Sequence, residues 1–308
     1  MEKSIQELGL EAVEELSTVY DLLRWGVSQF NAEDIYFGHG TDNPWDECFA
    51  LIAHVMNMTP HGNDNLMAAR LTKSERQLIV ELIQTRIETR QPAAYIIGIA
   101  YFCDLPFLVN ENVLVPRSPI GELINKQFEG FVTHEPSHIL DLCTGSGCIA
   151  IACAYAFENA QVDALDISEE ALEVANENIH RLGVEHRVYP IQSDVFSAVQ
   201  GQKYDLIVSN PPYVDAEDLA DMPVEFSHEP EIGLGSGEDG LDVTRTILRE
   251  AANHLTDDGV LIVEVGNSMV HLVEQFPDVP FEWIEFENGG LGVFALTKQQ
   301  LLQHQEIF

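Results

Sequence analysis

Apolar residues recur every three or four positions over the first part of the chain, which is the spacing of amphipathic helices. Residues 5–30 carry this pattern without a clear break. A second helix is predicted to begin at Pro44, since proline suits the first helical position. Residues 72–75 (TKSE) form a capping-box pattern and predict a third helix. Its inward side chains are predicted to be Leu78, Ile79, Leu82, Ile83 and Ile87. Residues 1–95 are therefore predicted to form a small helical domain, with a loop over residues 59–65.

The pattern changes after residue 95 to short apolar runs separated by polar residues. Residues 96–117 are predicted to form a β-hairpin connector. Its short strands are predicted at Tyr101–Cys103, Phe107–Val109 and Val113–Val115.

From residue 118 to residue 308, apolar runs alternate with helical segments, which is typical of βαβ units around a mostly parallel sheet. The predicted strands are His138–Leu142, Gln161–Leu165, Arg187–Gln192, Tyr204–Ser209 and Val260–Val265, and the predicted helices are Cys148–Phe157, Ser168–Leu182, Val243–Leu255 and Ser268–Phe276. The last two runs, Phe281–Phe286 and Gly292–Thr297, leave little room for a crossover helix and are predicted to pair antiparallel at the sheet edge. The fold class is therefore α/β, with a mostly parallel seven-stranded sheet that follows the helical domain and the hairpin along the chain.

Composition and charge narrow the class of partner. The chain has 308 residues, 45% of them apolar, and no apolar run near the roughly 20 residues that span a bilayer. Its first residues, MEKSIQELGL, lack a secretion signal, so a cytoplasmic protein is expected. The chain has 15 Lys and Arg against 51 Asp and Glu, a formal net charge of −36. This excess of negative charge disfavours binding to nucleic acids and acidic membranes and would attract a basic partner to the protein surface. The acidity is equally explained as an aid to solubility. Five cysteines without a CxxC pair indicate buried free thiols, and no metal site is expected.

A glycine loop gives the first candidate for chemistry. Residues 139–150 (ILDLCTGSGCIA) have the pattern of a strand, a tight loop and a helix start. Gly145 and Gly147 permit a sharp turn and the close approach of a ligand to the helix N-terminus. Asp166 ends the next strand, where a carboxylate can accept hydrogen bonds from two ribose hydroxyls, and Asp194 ends the third at the same rim. Helix capping explains either acid alone, but the combination indicates a nucleoside site.

The acid that precedes the loop distinguishes between nucleoside ligands. Asp141 lies four residues before Gly145, and a carboxylate there is unfavourable beside the pyrophosphate of a dinucleotide. The same carboxylate is favourable beside a cation. S-adenosyl-L-methionine carries an ammonium and a sulfonium, and its product is S-adenosyl-L-homocysteine. The sequence therefore favours this methyl donor over a nicotinamide cofactor, and an NAD-binding oxidoreductase is the less favoured alternative.

A second motif follows the fourth strand of this region. Asn210, Pro211, Pro212 and Tyr213 (NPPY) form a stiff rim, because proline fixes its own φ and restricts the residue before it. The side-chain oxygen of Asn210 and the main-chain oxygen of Pro211 can accept both hydrogens of a planar –NH2 group, on which the Tyr213 ring can stack. Such a clamp orients a weakly nucleophilic amide nitrogen and stabilises positive charge that develops on it. These four residues are the candidate catalytic residues, and a merely rigid Pro-Pro turn is the alternative.

The blocks DLCTGSG, LDIS, SDVF and NPPY, in this order, resemble the class I methyltransferases, and NPPY resembles those that methylate planar nitrogens. Residues 38–47 (GHGTDNPWDE) and 113–124 (VLVPRSPIGELI) resemble the bacterial ribosomal-protein glutamine N5-methyltransferases, whose target is the third protein of the large ribosomal subunit. The sister family that methylates release factors usually continues the arginine with Pro-Asp-Thr-Glu. Here Ser118, Pro119 and Ile120 follow Arg117, which favours the ribosomal target.

The resemblance implies a role for each motif residue. The methionine part of the cofactor would lie against Asp141, Thr144, Gly145 and Gly147, the ribose against Asp166, and the adenine near Asp194. Further cofactor-binding residues would be Cys143, Ile167, Val195 and Asn210. Substrate binding would involve Asn210, Pro211, Tyr213 and Phe102, the last of which is equally explained as hairpin core.

Three other functions stay open at this point. A methyltransferase for base amines of RNA or DNA would need a basic patch, but residues 1–100 carry 7 Lys and Arg against 15 Asp and Glu. A release-factor methyltransferase would share the same chemistry. A non-catalytic ribosome-assembly factor would not need an intact NPPY motif. Glu264 is expected to be architectural, and Arg117 has no assigned role.

Overall fold

The computed structural model describes residues 3–60 and 64–308, and the chain divides into two compact units. The helical unit consists of the residues up to Ile99 together with the segment Pro223–His228. The sheet unit consists of Ala100–Met222 and Glu229–Phe308. No helix in the described ranges has both the length and the apolar character that a bilayer crossing requires.

Five helices make up most of the helical unit. They are α1 (Ile5–Glu15), α2 (Val19–Ala32), α3 (Pro44–Val55), α4 (Lys73–Thr89) and α5 (Ala93–Ile97). The starts of α3 and α4 are those predicted, and Thr72 forms the expected capping box with Glu75. The periodic stretch 5–30 is two helices, because Thr18 caps a new one by accepting a hydrogen bond from the amide of Asp21 at 3.1 Å. The loop predicted over residues 59–65 lies partly outside the described residues.

The inward face of α4 differs from the prediction at Leu78, Val80 and Arg86. Leu78 is 51% exposed, whereas its neighbour Ile79 is fully buried. Leu78 precedes Ile79 by a step of about 100° around the helix and lies beyond the edge of the buried face, which is formed by Ile79, Val80, Ile83, Arg86 and Ile87. Arg86, seven residues after Ile79, is fully buried on that face instead. The inward placement of Leu78 was therefore wrong, and the core of this unit contains a charged side chain.

The segment Pro223–His228 is held within the helical unit by polar and aromatic contacts. The buried Glu225 carboxylate accepts hydrogen bonds from the Tyr36 amide at 3.1 Å and from Arg90 at 3.3 Å. The Phe226 ring lies 4.3 Å from the His39 ring, centroid to centroid. This short segment thus packs with residues that precede it by more than a hundred positions.

The predicted hairpin connector contains two strands rather than three. They are β1 (Ile99–Phe102) and β2 (Leu105–Leu108), joined by a turn in which Cys103 and Asp104 both have positive φ. This is the turn type whose twist matches a tight hairpin. The third strand predicted at Val113–Val115 is wrong, because the Val115 amide donates to the Glu229 carboxylate at 3.1 Å instead of to a strand.

A seven-stranded sheet forms the centre of the sheet unit. Its strands are β3 (His138–Leu142), β4 (Gln161–Asp166), β5 (Val188–Gln192), β6 (Tyr204–Ser209), β7 (Leu255–Glu264), β8 (Glu282–Trp283) and β9 (Val293–Thr297). The order across the sheet is β5-β4-β3-β6-β7-β9-β8. All pairs are parallel except those of β9 with β7 and β8, which confirms the mostly parallel sheet with an antiparallel edge.

The remaining helices of the sheet unit are α6 (Ile120–Asn125), α7 (Cys148–Ala156), α8 (Glu169–Arg181), α9 (Ala216–Asp221), α10 (Asp242–Glu250), α11 (Met269–Gln275) and α12 (Lys298–Gln303). The predicted helix Val243–Leu255 ends early, because Leu255 already begins β7 beside β6. From β3 the chain moves outward through β4 and β5, then returns to the other side of β3 at β6. In open α/β sheets such a reversal is where ligands bind, at the carboxyl ends of the strands.

Candidate functional site

The glycine loop crosses the rim between β3 and α7 in left-handed backbone conformations. Cys143, Gly145 and Gly147 all have positive φ, at 59°, 55° and 78°. A Cβ on Gly147 would lie 3.2 Å from the Cβ of Ala175, so this glycine permits close packing against α8. A Cβ on Gly145 would meet no atom of the described residues within 4 Å. The backbone at Gly145 therefore faces space that a ligand can fill.

The two carboxylate oxygens of Asp141, next to this loop, differ in their hydrogen bonding. The residue is 1% exposed. Its Oδ2 accepts hydrogen bonds from the Thr144 hydroxyl at 2.5 Å and from the Ala150 amide at 3.0 Å. Its Oδ1 is buried without a hydrogen-bond partner among the described residues. Burial raises the pKa of Asp141 to about 7, although these two hydrogen bonds act in the opposite direction. An acceptor of this kind fits a cationic ligand group.

The ends of β4 and β5 bring two more carboxylates to the same rim. Asp166 accepts a hydrogen bond from the Gly145 amide at 2.8 Å and another from the Ser168 amide at 3.0 Å, so it both braces the glycine loop and precedes α8. Asp194 lies after β5 and is exposed. Burial and the nearby charges of Asp166, Asp141 and Asp194 raise the pKa of the Cys143 thiol. The three predicted acids therefore face one region around the loop.

Two further residues predicted to bind the cofactor, Ile167 and Val195, directly follow these acids. Ile167 follows Asp166 and is 51% exposed at the rim. Val195 follows Asp194 and has a φ of 44°, which a β-branched residue rarely adopts. Both side chains are apolar, and their contact with a cofactor stays a prediction.

The NPPY motif begins where β6 ends, beside β3. The Ser209 hydroxyl donates to the Leu142 carbonyl at 2.9 Å and joins the two strand ends. The Asn210 Oδ1 is buried and accepts no hydrogen bond from the described residues. Pro211 is buried and Pro212 is half-buried. Two buried acceptor oxygens without a partner among the described residues therefore lie at the ends of the neighbouring strands β3 and β6. They belong to Asp141 and Asn210.

Tyr213 is held at both its ring and its main chain. Its hydroxyl donates to Glu264 at 3.1 Å, and its carbonyl accepts a hydrogen bond from the Ser268 hydroxyl at 2.6 Å. Glu264 in turn accepts from the Ser118 hydroxyl at 2.5 Å. From the sequence, Glu264 was expected to be only architectural, yet one signal was available: it is the acid that directly follows the apolar run Val260–Val263 at the carboxyl end of β7.

Arg117 forms a bidentate ion pair with Glu229. The distances are 2.5 Å and 2.7 Å, and Glu229 is 5% exposed. The turn after the hairpin is therefore fixed to the chain that follows NPPY. Sequence reasoning assigned no role to this arginine, because its partner lies 112 residues away.

Asn178 links the hairpin to the glycine loop and was also missed. Its side chain exchanges two hydrogen bonds with the main chain of Leu108, at 2.7 Å and 3.0 Å, and donates a third to the Ser146 carbonyl at 2.9 Å. Phe102, in the same hairpin, is 7% exposed and packs against Phe107 at 6.4 Å between ring centroids. Phe102 is thus part of the core of the sheet unit, and its contact with a substrate stays a prediction.

Comparisons with known proteins place the chain in a family. Residues 127–226 match the family model "Methyltransferase small domain". A ribosomal protein uL3 glutamine methyltransferase from Francisella tularensis is 43% identical over 305 residues, which are 98% of this chain and 97% of that protein. One from Xanthomonas campestris is 45% identical over 294 residues, 95% of each chain. The chain belongs to this family.

Membership in the uL3 glutamine methyltransferase family makes the protein a methyltransferase and confirms the resemblance found in its motifs. The hMettl16 catalytic domain, solved in complex with the MAT2A 3′UTR hairpin 6, is 14% identical with a TM-score of 0.50. It covers 79% of this chain and 90% of its own, and supports the fold alone. The Rossmann-like class I methyltransferase fold expected from the sequence is confirmed.

Proposed function

We propose that this protein transfers a methyl group from S-adenosyl-L-methionine to the side-chain amide nitrogen of a glutamine in ribosomal protein uL3. The observation that carries the proposal is the buried, unpaired Oδ1 of Asn210 at the strand reversal. A buried acceptor without a partner is costly, and the N–H of a bound amide would satisfy it. The relatives named uL3 glutamine methyltransferases support the same substrate.

The cofactor assignment follows the donors and acceptors of the rim. The Oδ1 of Asp141 would accept a hydrogen bond from the ammonium of S-adenosyl-L-methionine, and Asp166 would accept hydrogen bonds from its ribose hydroxyls. Asp194 would lie near its adenine. Close backbone contacts would come from Cys143, Thr144, Gly145 and Gly147, with Ile167, Val195 and Asn210 flanking the ligand. When bound, the cofactor supplies a methyl group that its sulfonium makes electrophilic.

The protein's part in the reaction is to bind and orient the amide. The Asn210 Oδ1 and the Pro211 carbonyl would accept the two amide hydrogens, while the Tyr213 ring lies against the amide plane. This arrangement orients the nitrogen toward the methyl group, although its lone pair is delocalised into the amide carbonyl and is therefore a weak nucleophile. The same oxygens stabilise positive charge on the nitrogen as it forms its new bond. The product cation is a strong acid and loses its proton to water without a protein base.

The choice of a ribosomal protein also agrees with the charge of the chain. The excess of 36 negative charges attracts a basic protein and repels bare RNA. We propose that the helical unit, where acids outnumber bases, contributes to this recognition. A cytoplasmic location follows from the same proposal, because the substrate is a ribosomal protein.

The substrate is tested with a tritiated methyl donor and three acceptors: purified uL3, a release factor and bare ribosomal RNA. Label is expected on a glutamine of uL3, located by mass spectrometry. Label on the release factor would retain the amide chemistry and overturn the target. Label on RNA alone would show that NPPY serves a base amine, and binding of the donor without transfer to any acceptor would favour a role in assembly.

Cofactor affinity is expected to depend on pH through Asp141. The raised pKa of about 7 means that this carboxyl holds a proton below neutrality, and a ligand ammonium favours the ionised form. The affinity for S-adenosyl-L-homocysteine should therefore rise about tenfold between pH 6 and pH 8, with release of a proton at the lower pH. Titration calorimetry in two buffers of different ionisation enthalpy measures both quantities.

The control for this prediction is Asp194→Asn, which removes an exposed acid of the same rim and should keep the pH profile. In Asp141→Asn the affinity should be lower at pH 8 and flat with pH. An unchanged slope in Asp141→Asn would assign the proton to another group.

A further inference from the structure

We propose that Glu264 is a positioning residue for methyl transfer: it fixes the Tyr213 ring through the phenol hydroxyl, and Ser118 fixes Glu264 in turn. This inference rests on the proposed function, in which Tyr213 lies against the substrate amide. It assigns a task in the reaction to a carboxylate and a hydroxyl that lie outside the NPPY and glycine-loop motifs.

The position of Glu264 in the sheet brings it to the motif. It is the last residue of β7, and its predecessor Val263 pairs with Ser209, the last residue of β6. Glu264 and Asn210 therefore leave neighbouring parallel strands at the same level of the rim. A carboxylate at this level is within reach of the phenol of Tyr213, three residues further along the motif.

Both carboxylate oxygens of Glu264 are used. Oε1 accepts the Tyr213 hydroxyl at 3.1 Å, and Oε2 accepts the Ser118 hydroxyl at 2.5 Å. The residue is 5% exposed. A carboxylate only accepts hydrogen bonds, so it dictates the direction of both O–H groups. Since a buried charge costs free energy unless it is well bonded, the two hydroxyls are required to hold it there.

Other residues hold the main chain of Tyr213 and one side of its ring, and Glu264 holds the far end of the ring through the hydroxyl. A Cβ on Gly266 would lie 2.5 Å from the Tyr213 Cε2, so the backbone of Gly266 lies directly against the ring. The main-chain oxygen is held by Ser268 and closely approached by Gly240. The phenol oxygen lies on the axis about which the ring turns, so its hydrogen bond to Glu264 limits the sideways swing of the ring, whereas the Gly266 backbone limits rotation about that axis.

The charge of Glu264 also acts on the ring itself. Burial raises the pKa of Glu264 to about 6, against the influence of Ser118, Tyr213 and Arg117, so the group is ionised at neutral pH. Burial and the Glu264 charge raise the pKa of the Tyr213 hydroxyl, which stays protonated and donates. A phenol bonded to a carboxylate has an electron-rich ring, and such a ring attracts the positive charge that forms on the amide nitrogen.

The test is a double-mutant cycle with Glu264→Gln and Tyr213→Phe. Glu264→Gln keeps the size of the side chain and should lower kcat about tenfold to a hundredfold, with the KM for uL3 changed less than about threefold. Tyr213→Phe should cause a similar loss. The double variant should be no slower than the slower single variant, because both changes break the same link. Ser118→Ala, which keeps both partners, should lower kcat about three- to tenfold.

A matched control exists in the same sheet. Tyr204 at the start of β6 donates to Asp163 at 2.7 Å, which is the same chemical pair remote from the motif. Asp163→Asn should leave kcat within about twofold of the wild type. Losses that multiply in the Glu264→Gln, Tyr213→Phe double variant would show that Glu264 does not act through Tyr213, and would overturn the proposal.

A readout without substrate separates this inference from the proposed function. In protein labelled with ¹³C at the tyrosine ζ carbons, the Tyr213 resonance, assigned by its loss in Tyr213→Phe, should move in Glu264→Gln and Ser118→Ala but not in Asp163→Asn. A moved resonance with no transfer to uL3 by the wild type would retain the positioning role and reject the substrate. An unmoved resonance would reject the positioning role whatever the substrate proves to be.

Discussion

Replacement of Asn210 with alanine is expected to lower the rate of methyl transfer about a hundredfold to a thousandfold while cofactor affinity changes less than about twofold. The side chain supplies a buried Oδ1 that no described residue satisfies, so its proposed partner is the substrate amide. Without it, the amide loses both an orienting contact and an acceptor that stabilises developing positive charge. Single-turnover transfer to uL3 and calorimetry with S-adenosyl-L-homocysteine measure the two effects separately.

Asn267→Ala is the matched control, since this exposed asparagine follows β7 at the same rim. It should leave both the transfer rate and the cofactor affinity at wild-type values. Transfer by Asn210→Ala within a few-fold of the wild type would exclude the amide clamp, and a parallel loss of cofactor affinity would assign the side chain to cofactor binding instead.

The second large effect is expected on the stability of the helical unit. Arg86 is fully buried and donates to Glu47 at 2.7 Å, to the Tyr36 carbonyl at 2.8 Å and to the Arg90 carbonyl at 3.0 Å. Arg86→Met would leave the buried Glu47 carboxylate without its counter-charge and two carbonyls without this donor. The free energy of unfolding of this unit should fall by about 3 to 5 kcal/mol.

Hydrogen exchange followed on peptides of α2, α3 and α4 reports this loss without interference from the sheet unit. Arg24→Met, a change at an exposed arginine of α2, should alter stability by less than about 0.5 kcal/mol. A second change, Glu47→Leu in the Arg86→Met background, should recover part of the loss, because it removes the buried charge that the first change left unpaired. If Arg86→Met exchanged like the wild type, the ion pair would have no net role in stability.

The elements that the sequence predicted best are those decided by local rules. The capping box at Thr72 and the proline at position 44 determine helix starts from contacts within four residues. The alternation of strands and helices likewise predicted a mostly parallel sheet, because parallel neighbours need a crossover between them. One wrong element depends on a distant partner: Val113–Val115 forms no strand because the amide of Val115 is bound by Glu229, 114 residues later. The break at Thr18 in the stretch 5–30 is local and was overlooked, because the apolar spacing continues across it.

In the candidate site, too, residues that belong to local motifs were predicted and residues bonded to distant positions were not. Its motif residues were found because a glycine loop, a strand-end acid and NPPY each have a chemical meaning over a few positions. Their supports were not found, because they connect positions far apart: Ser118 meets Glu264 across 146 residues, and Asn178 meets Leu108 across 70. An asparagine within a helix and a serine before a proline give no sign in the sequence of the groups they will bind.

The segment Pro223–His228 has a consequence for any attempt to divide the protein. Because the helical unit includes this segment as well as the residues up to Ile99, it is discontinuous along the chain, and no single cleavage point separates it from the sheet unit. A fragment that begins at residue 100 would carry Glu225 and Phe226 without Tyr36, Arg90 and His39. Exchange of the helical unit between relatives therefore needs two grafts, with breakpoints on either side of the segment as well as near residue 99.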